Sequence, residues 1–89
     1  MNIFEHFNEI DLVCALYHWT KDNYETKDDA TYRAYKALAA PGSYGLTAYE
    51  KSFENISDDA RYVYDTLTDN NYELLLYRVT GFMPDEYAC

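Results

Sequence analysis

Between Phe7 and Tyr24 the chain carries a helix signature so broad on its apolar side that the rest of the sequence must wrap around it. Asn8 stands at a capping position, Glu9 follows in the first turn, and Asp11 lies three residues after the cap. Phe7 ahead of the cap and Leu12 at the fourth helical position are spaced for a hydrophobic staple. Projected at about 100° per residue, Leu12, Val13, Leu16, Tyr17, Trp19 and Thr20 cover a wide arc. Asp11, His18 and Asp22 form a narrow polar stripe opposite, with Cys14 and Ala15 at its margins. The pattern predicts a central helix, ending at about Tyr24, with neighbours on several sides.

The remaining periodic segments are helical as well. After a polar joint at residues 25–28, Asp28 or Asp29 caps a helix through Ala40, with Ala34, Tyr35 and Leu38 on one face. Pro41 and Gly42 end it and open a loop over residues 41–46. Thr47-Ala48-Tyr49-Glu50 matches a capping box, and Tyr49, Phe53 and Ile56 recur at helical spacing. Ser57 caps the next helix, whose stripe is Ala60, Val63, Tyr64 and Leu67, and residues 69–71 break it. Tyr72, Leu75, Leu76 and Val79 repeat the pattern before Gly81 and Pro84 stop it, although residues 72–80 also read as a buried strand. The expectation is an all-α, compact single-domain bundle over residues 1–89, of about five short helices. At 89 residues there is room for one core.

Composition bears on whether such a chain folds. Leu, Ile, Val and Phe make up only 18 of the 89 residues, and the net charge is -9, which borders on disordered compositions. Eleven tyrosines and one tryptophan restore buriable area, yet a core this small cannot hide all of them. The acidic balance excludes non-specific binding to nucleic acid or to an anionic membrane. Residues 1–6 lack the basic and apolar regions of a secretory leader, and no stretch approaches the ~20 apolar residues of a membrane span. Two cysteines, Cys14 and Cys89, are too few for a disulfide framework, so reduced thiols and a cytoplasmic location are expected.

Chemistry-bearing constellations are sparse. Cys14, His18 and Asp22 at i, i+4, i+8, with Asp11 nearby, could share a metal, but one helix face closes a tetrahedral site poorly. They read instead as a solvated stripe holding no metal. No cofactor fingerprint or catalytic signature is present, and no third group stands ready to orient a Cys14–His18 pair, so a non-enzyme is expected.

Charge placement is more informative. Opposite the core stripe of the helix after Ser57 stand Asp58, Tyr62, Asp65 and Asp69, with Arg61 to one side and not neutralising the row. Neighbours on such a stripe sit roughly 5–6 Å apart. Carboxylates at that spacing approximate the phosphates along a nucleic-acid strand, and an outward tyrosine has the chemistry of an interface hot spot. The row is either a solvated face or a surface for a basic partner. The tyrosine count favours the surface, which makes Asp58, Tyr62, Asp65 and Asp69 the candidate partner-binding residues.

Small size, strong acidity, many aromatics and the absence of a catalytic motif resemble phage-encoded anti-defence proteins, the group of anti-CRISPR inhibitors and DNA mimics that block restriction enzymes or DNA glycosylases. The resemblance lies in composition, and no site residue follows from it. It implies a stoichiometric inhibitor acting in the host cytosol on a basic nucleic-acid-binding protein of a host defence system, without touching nucleic acid or membrane itself. The alternative is a structural module that oligomerises, as a homodimer for instance, through tyrosine-rich faces.

Overall fold

A computed structural model describes residues 6–26, 29–40, 46–68 and 70–80. Among these residues four α-helices run in order: α1 Glu9–Asn23, α2 Asp29–Ala39, α3 Asp58–Thr66 and α4 Tyr72–Thr80. Short 3-10 turns occupy Tyr24–Thr26 and Phe53–Asn55. Among the described residues there is no strand, so residues 72–80 are helix. The expected cap at Asp28, the loop at 41–45 and the stop at Gly81 and Pro84 lie outside the described residues.

The wide apolar arc of α1 has its structural counterpart: every residue from Leu12 to Thr20 is buried. Helices α2, α3 and α4 each pack on α1, which makes it the axis of the bundle. Asn8 occupies the cap position with an extended backbone, and its carbonyl accepts from the amides of Asp11 and Leu12 at 3.0 and 3.1 Å. Its side chain makes no capping bond, contrary to the sequence expectation. Phe7 lies half-buried against the core, and its ring stacks on Tyr62 of α3 at 5.7 Å. At the other end Trp19 stacks on Tyr72 of α4 at 4.7 Å. The Tyr72 hydroxyl shares a 3.0 Å hydrogen bond with Thr31 of α2, so three helices meet at one polar tie inside an apolar core. Burying a hydroxyl needs such a partner, since an unsatisfied one costs roughly 1–3 kcal/mol.

The segment from Thr47 to Ile56 departs from the expected fifth helix. Its capping box forms, with the Thr47 amide donating to Glu50 Oε2 at 2.9 Å and the Glu50 amide to Thr47 Oγ1 at 3.4 Å. The helix does not continue beyond one turn. In a continuous helix the Glu50 carbonyl would accept from the amide four residues on. Here it accepts instead from two α1 side chains, Cys14 Sγ at 3.4 Å and His18 Nε2 at 2.9 Å. The chain closes with short turns, Asn55 to Ser52 at 3.0 Å and Ile56 to Phe53 at 3.2 Å. Lys51 Nζ crosses to the Ala39 carbonyl at 2.9 Å, satisfying an open acceptor at the end of α2.

The last two helices are joined by a hydrogen-bonded turn. Asn71 Oδ1 accepts from the Thr68 amide at 2.6 Å, while Asn71 Nδ2 donates to the Thr66 carbonyl at 2.8 Å. The end of α3 and the start of α4 are thus tied through one side chain. The radius of gyration, 11.9 Å, is close to the ~12 Å of a compact globule of this length. No described helix is long and apolar enough to cross a membrane.

Candidate partner-binding surface

The outer face of α3 begins at a well-made N-terminus. Ser57 Oγ accepts from the Ala60 amide at 3.1 Å and donates to Asp11 Oδ1 of α1 at 2.8 Å. Asp58 and Asp59 sit in the first turn, where negative charge complements the free amide ends. Ala60, Val63 and Leu67 point inward and are buried. That register leaves Asp58, Tyr62 and Asp65 exposed on the other side, with Tyr62 64% accessible. Asp69, the fourth residue of the expected row, lies outside the described residues.

On this face Arg61 departs from the expectation, and Tyr62 has a neighbour that the sequence does not signal. Arg61 does not stand apart from the row: its Nε approaches Asp65 Oδ1 at 3.3 Å, an exposed i, i+4 pair. Such pairs contribute a few tenths of a kcal/mol, so Asp65 is partly neutralised but weakly held. The Arg61 guanidinium also lies over the Phe53 ring, 5.1 Å from its centre. Tyr62, in turn, is not a free ring, because the Phe7 stack covers one of its faces. A ring held in this way loses less conformational entropy when a partner covers the other face.

Beside the row runs a seam between α1, α3 and the 47–56 segment. Tyr64 donates its hydroxyl to Asp22 Oδ2 at 2.5 Å. Burial, with this bond to a carboxylate second, pushes the Tyr64 phenol up to about 12, so it stays protonated and donating. Phe53 packs edge-to-face with Tyr64 at 5.2 Å and with His18 at 5.3 Å. Phe53 and Arg61 therefore belong to the same surface as Asp65. The four-residue spacing from Arg61 to Asp65 signals their pair in the sequence, whereas Phe53 reaches the site only through the tertiary fold.

The stripe of Asp11, Cys14, His18 and Asp22 is a packed seam, not the solvated face expected. Cys14 and His18 are buried, His18 to 2% accessibility. Both donate to one carbonyl, while Asp11 and Asp22 turn to Ser57 and Tyr64. Burial, then the nearby carboxylates of Asp11 and Glu50, pushes the Cys14 thiol up to about 11, which keeps it a neutral thiol. Burial holds His18 below its ordinary value, favouring the neutral ring that donates through Nε2. Among the described residues no three His, Cys, Asp or Glu side chains converge on a point where a metal could bind.

No protein-family model matches the chain, and comparison with curated proteins and with solved structures finds no significant match.

Proposed function

We propose that this chain is a non-enzymatic interaction protein, a stoichiometric inhibitor that sets the outer face of α3 against a basic protein groove otherwise occupied by nucleic acid. The observation that carries the reading is the display of Asp58, Tyr62 and Asp65 together on the solvent side of α3, with Tyr62 braced by Phe7. A groove lined with Lys and Arg to hold phosphates accepts a row of helical carboxylates by the same electrostatics. Tyr62 adds a large, partly immobilised contact area, the kind of residue that carries interface energy. The exposed Arg61–Asp65 pair can exchange for a partner's arginine at small cost, since such pairs are weak. Asp69 extends the row by sequence spacing.

The absence of catalysis in this reading is supported by the state of the most reactive pair. Cys14 and His18 are both engaged by the Glu50 carbonyl and not by each other, and the thiol is held protonated. A partner in a nucleic-acid-handling host defence system is in keeping with the resemblance to anti-defence inhibitors.

The experiment uses the partner captured from the native host by the tagged full-length chain. Nucleic acid titrated onto the purified complex should release this chain, and the chain should in turn block the partner's nucleic-acid binding at one copy per site. A ternary complex holding both ligands at once would contradict the proposal.

A further inference from the structure

Four of the eleven tyrosines form a continuous row of rings where α1 meets α2. The row starts at Tyr17 in α1 and passes to Tyr35 of α2 at 5.8 Å. It continues to Tyr24, in the turn after α1, at 5.1 Å, and ends at Tyr32 of α2 at 5.2 Å. Tyr17 is buried, Tyr35 and Tyr24 are half-buried, and Tyr32 is exposed, so the row leads from the core to solvent. Lys21 and Lys36 stand over its two end rings, 5.9 Å from the centre of Tyr17 and 5.7 Å from that of Tyr32.

Orientation singles out the middle pair. The rings of Tyr24 and Tyr35 are parallel to within 1°, an offset stack, whereas Tyr24–Tyr32 and Tyr17–Tyr35 are tilted by 43° and 34°. A phenol that loses one electron and one proton becomes a phenoxyl radical, with unpaired density on the ring carbons ortho to oxygen. Two such radicals join through orbitals that stand perpendicular to the ring planes. Rings stacked face to face present those orbitals to each other, and tilted rings present them less well. Among the described residues the other stacked pairs, Phe7–Tyr62 and Trp19–Tyr72, each contain only one phenol. An oxidant also has a way in, because Tyr32 is exposed and lies one ring contact from Tyr24.

We propose that Tyr24 and Tyr35 are a site of oxidative cross-linking within the chain, at which a peroxide, acting through a haem peroxidase, joins the two rings as dityrosine. Each phenol gives up one electron and one proton. The two radicals then form one carbon–carbon bond between ortho positions, and the two ortho hydrogens move to the oxygens, which restores both phenols. The peroxide takes up the two electrons and two protons and leaves as two waters. The bond ties the end of α1 to the middle of α2. This inference is independent of the α3 reading, because it concerns other side chains and needs no binding partner.

The full-length chain at micromolar concentration, treated with a haem peroxidase and hydrogen peroxide, tests it. A monomer lighter by two hydrogen atoms should form and carry the fluorescence of dityrosine. Peptide mapping by mass spectrometry should place the link between Tyr24 and Tyr35. Tyr24→Phe and Tyr35→Phe keep a ring in the stack and remove its phenol, so each should lose this product while circular dichroism shows the fold retained. Tyr49→Phe removes an exposed phenol outside the row and should leave the product unchanged. Absence of the cross-linked monomer, a link mapped mainly to another pair of tyrosines, or a yield indifferent to Tyr24→Phe and Tyr35→Phe would each overturn the proposal.

Discussion

Three consecutive leucines in α4 show how position within a helix decides what a side chain contributes. Leu75 and Leu76 are fully buried, while Leu74 faces solvent. Truncating a buried leucine removes transfer energy and leaves a cavity, so Leu76→Ala, like Leu16→Ala at the centre of α1, should cost about 2–5 kcal/mol. In a domain this small that is a large share of total stability. Leu74→Ala should stay within about ±0.5 kcal/mol. Urea unfolding of the three variants checks the register directly; equal effects at 74 and 76 would place the wrong face inside. His18 makes a second residue-scale prediction. Its folded pKa lies below the ordinary 6.5, because burial outweighs the help of the Glu50 carbonyl and Asp22. On acidification the unfolded chain takes up the proton first. The stability linked to this residue is complete above pH 6.5 and drains as the pH falls through that value towards the folded pKa. His18→Gln removes the titration, so its stability should fall less steeply than that of the wild type over the same acidic range in pH-dependent urea unfolding.

Elements were legible from the sequence where their determinants are local. The 3.6-residue periods of α1, α2, α3 and α4, and the caps read ahead of the first three, all lie within a few turns of the helices they define, and all four helices form. The capping box at Thr47 is just as local and forms just as well, yet it ends in a single turn. What stops it is non-local, namely two α1 side chains more than 30 residues away that take the Glu50 carbonyl. The same distinction divides the candidate site. The exposure of Asp58, Tyr62 and Asp65 follows from the periodicity of α3, whereas the Phe7 brace and the Tyr64–Asp22 bond depend on how α3 lies on α1. The N-termini allow a measurable comparison. Ser57 caps α3 through its hydroxyl and is also tied to Asp11, so Ser57→Ala should cost about 0.5–2 kcal/mol. Asn8 makes no side-chain capping bond, so Asn8→Ala should cost less. Thermal unfolding of both variants orders them, and the reverse order would contradict this account of the two helix starts.

At the scale of the whole molecule, α1 is enclosed by three described helices and no described Asp, Glu, Lys or Arg is buried, so under the proposed function the net charge of -9 serves both solubility and recognition. The proposed α3 surface separates the two uses, because Asp65 is exposed and contributes little to folding. The replacement Asp65→Lys gives up only a weak pair with Arg61 and adds a mild like-charge contact, so the fold should persist. Binding to a basic groove should not. The direct measurement is the affinity of the captured partner for the wild type and for the Asp65→Lys, Asp69→Lys double variant, each at low and at physiological salt. Wild-type affinity should fall as salt rises, because exposed charge pairs are screened over roughly 8–10 Å. The double variant should bind roughly tenfold or more weakly and with a shallower dependence on salt. Equal affinities with no salt dependence in either chain would contradict the claim that the α3 face is the binding surface.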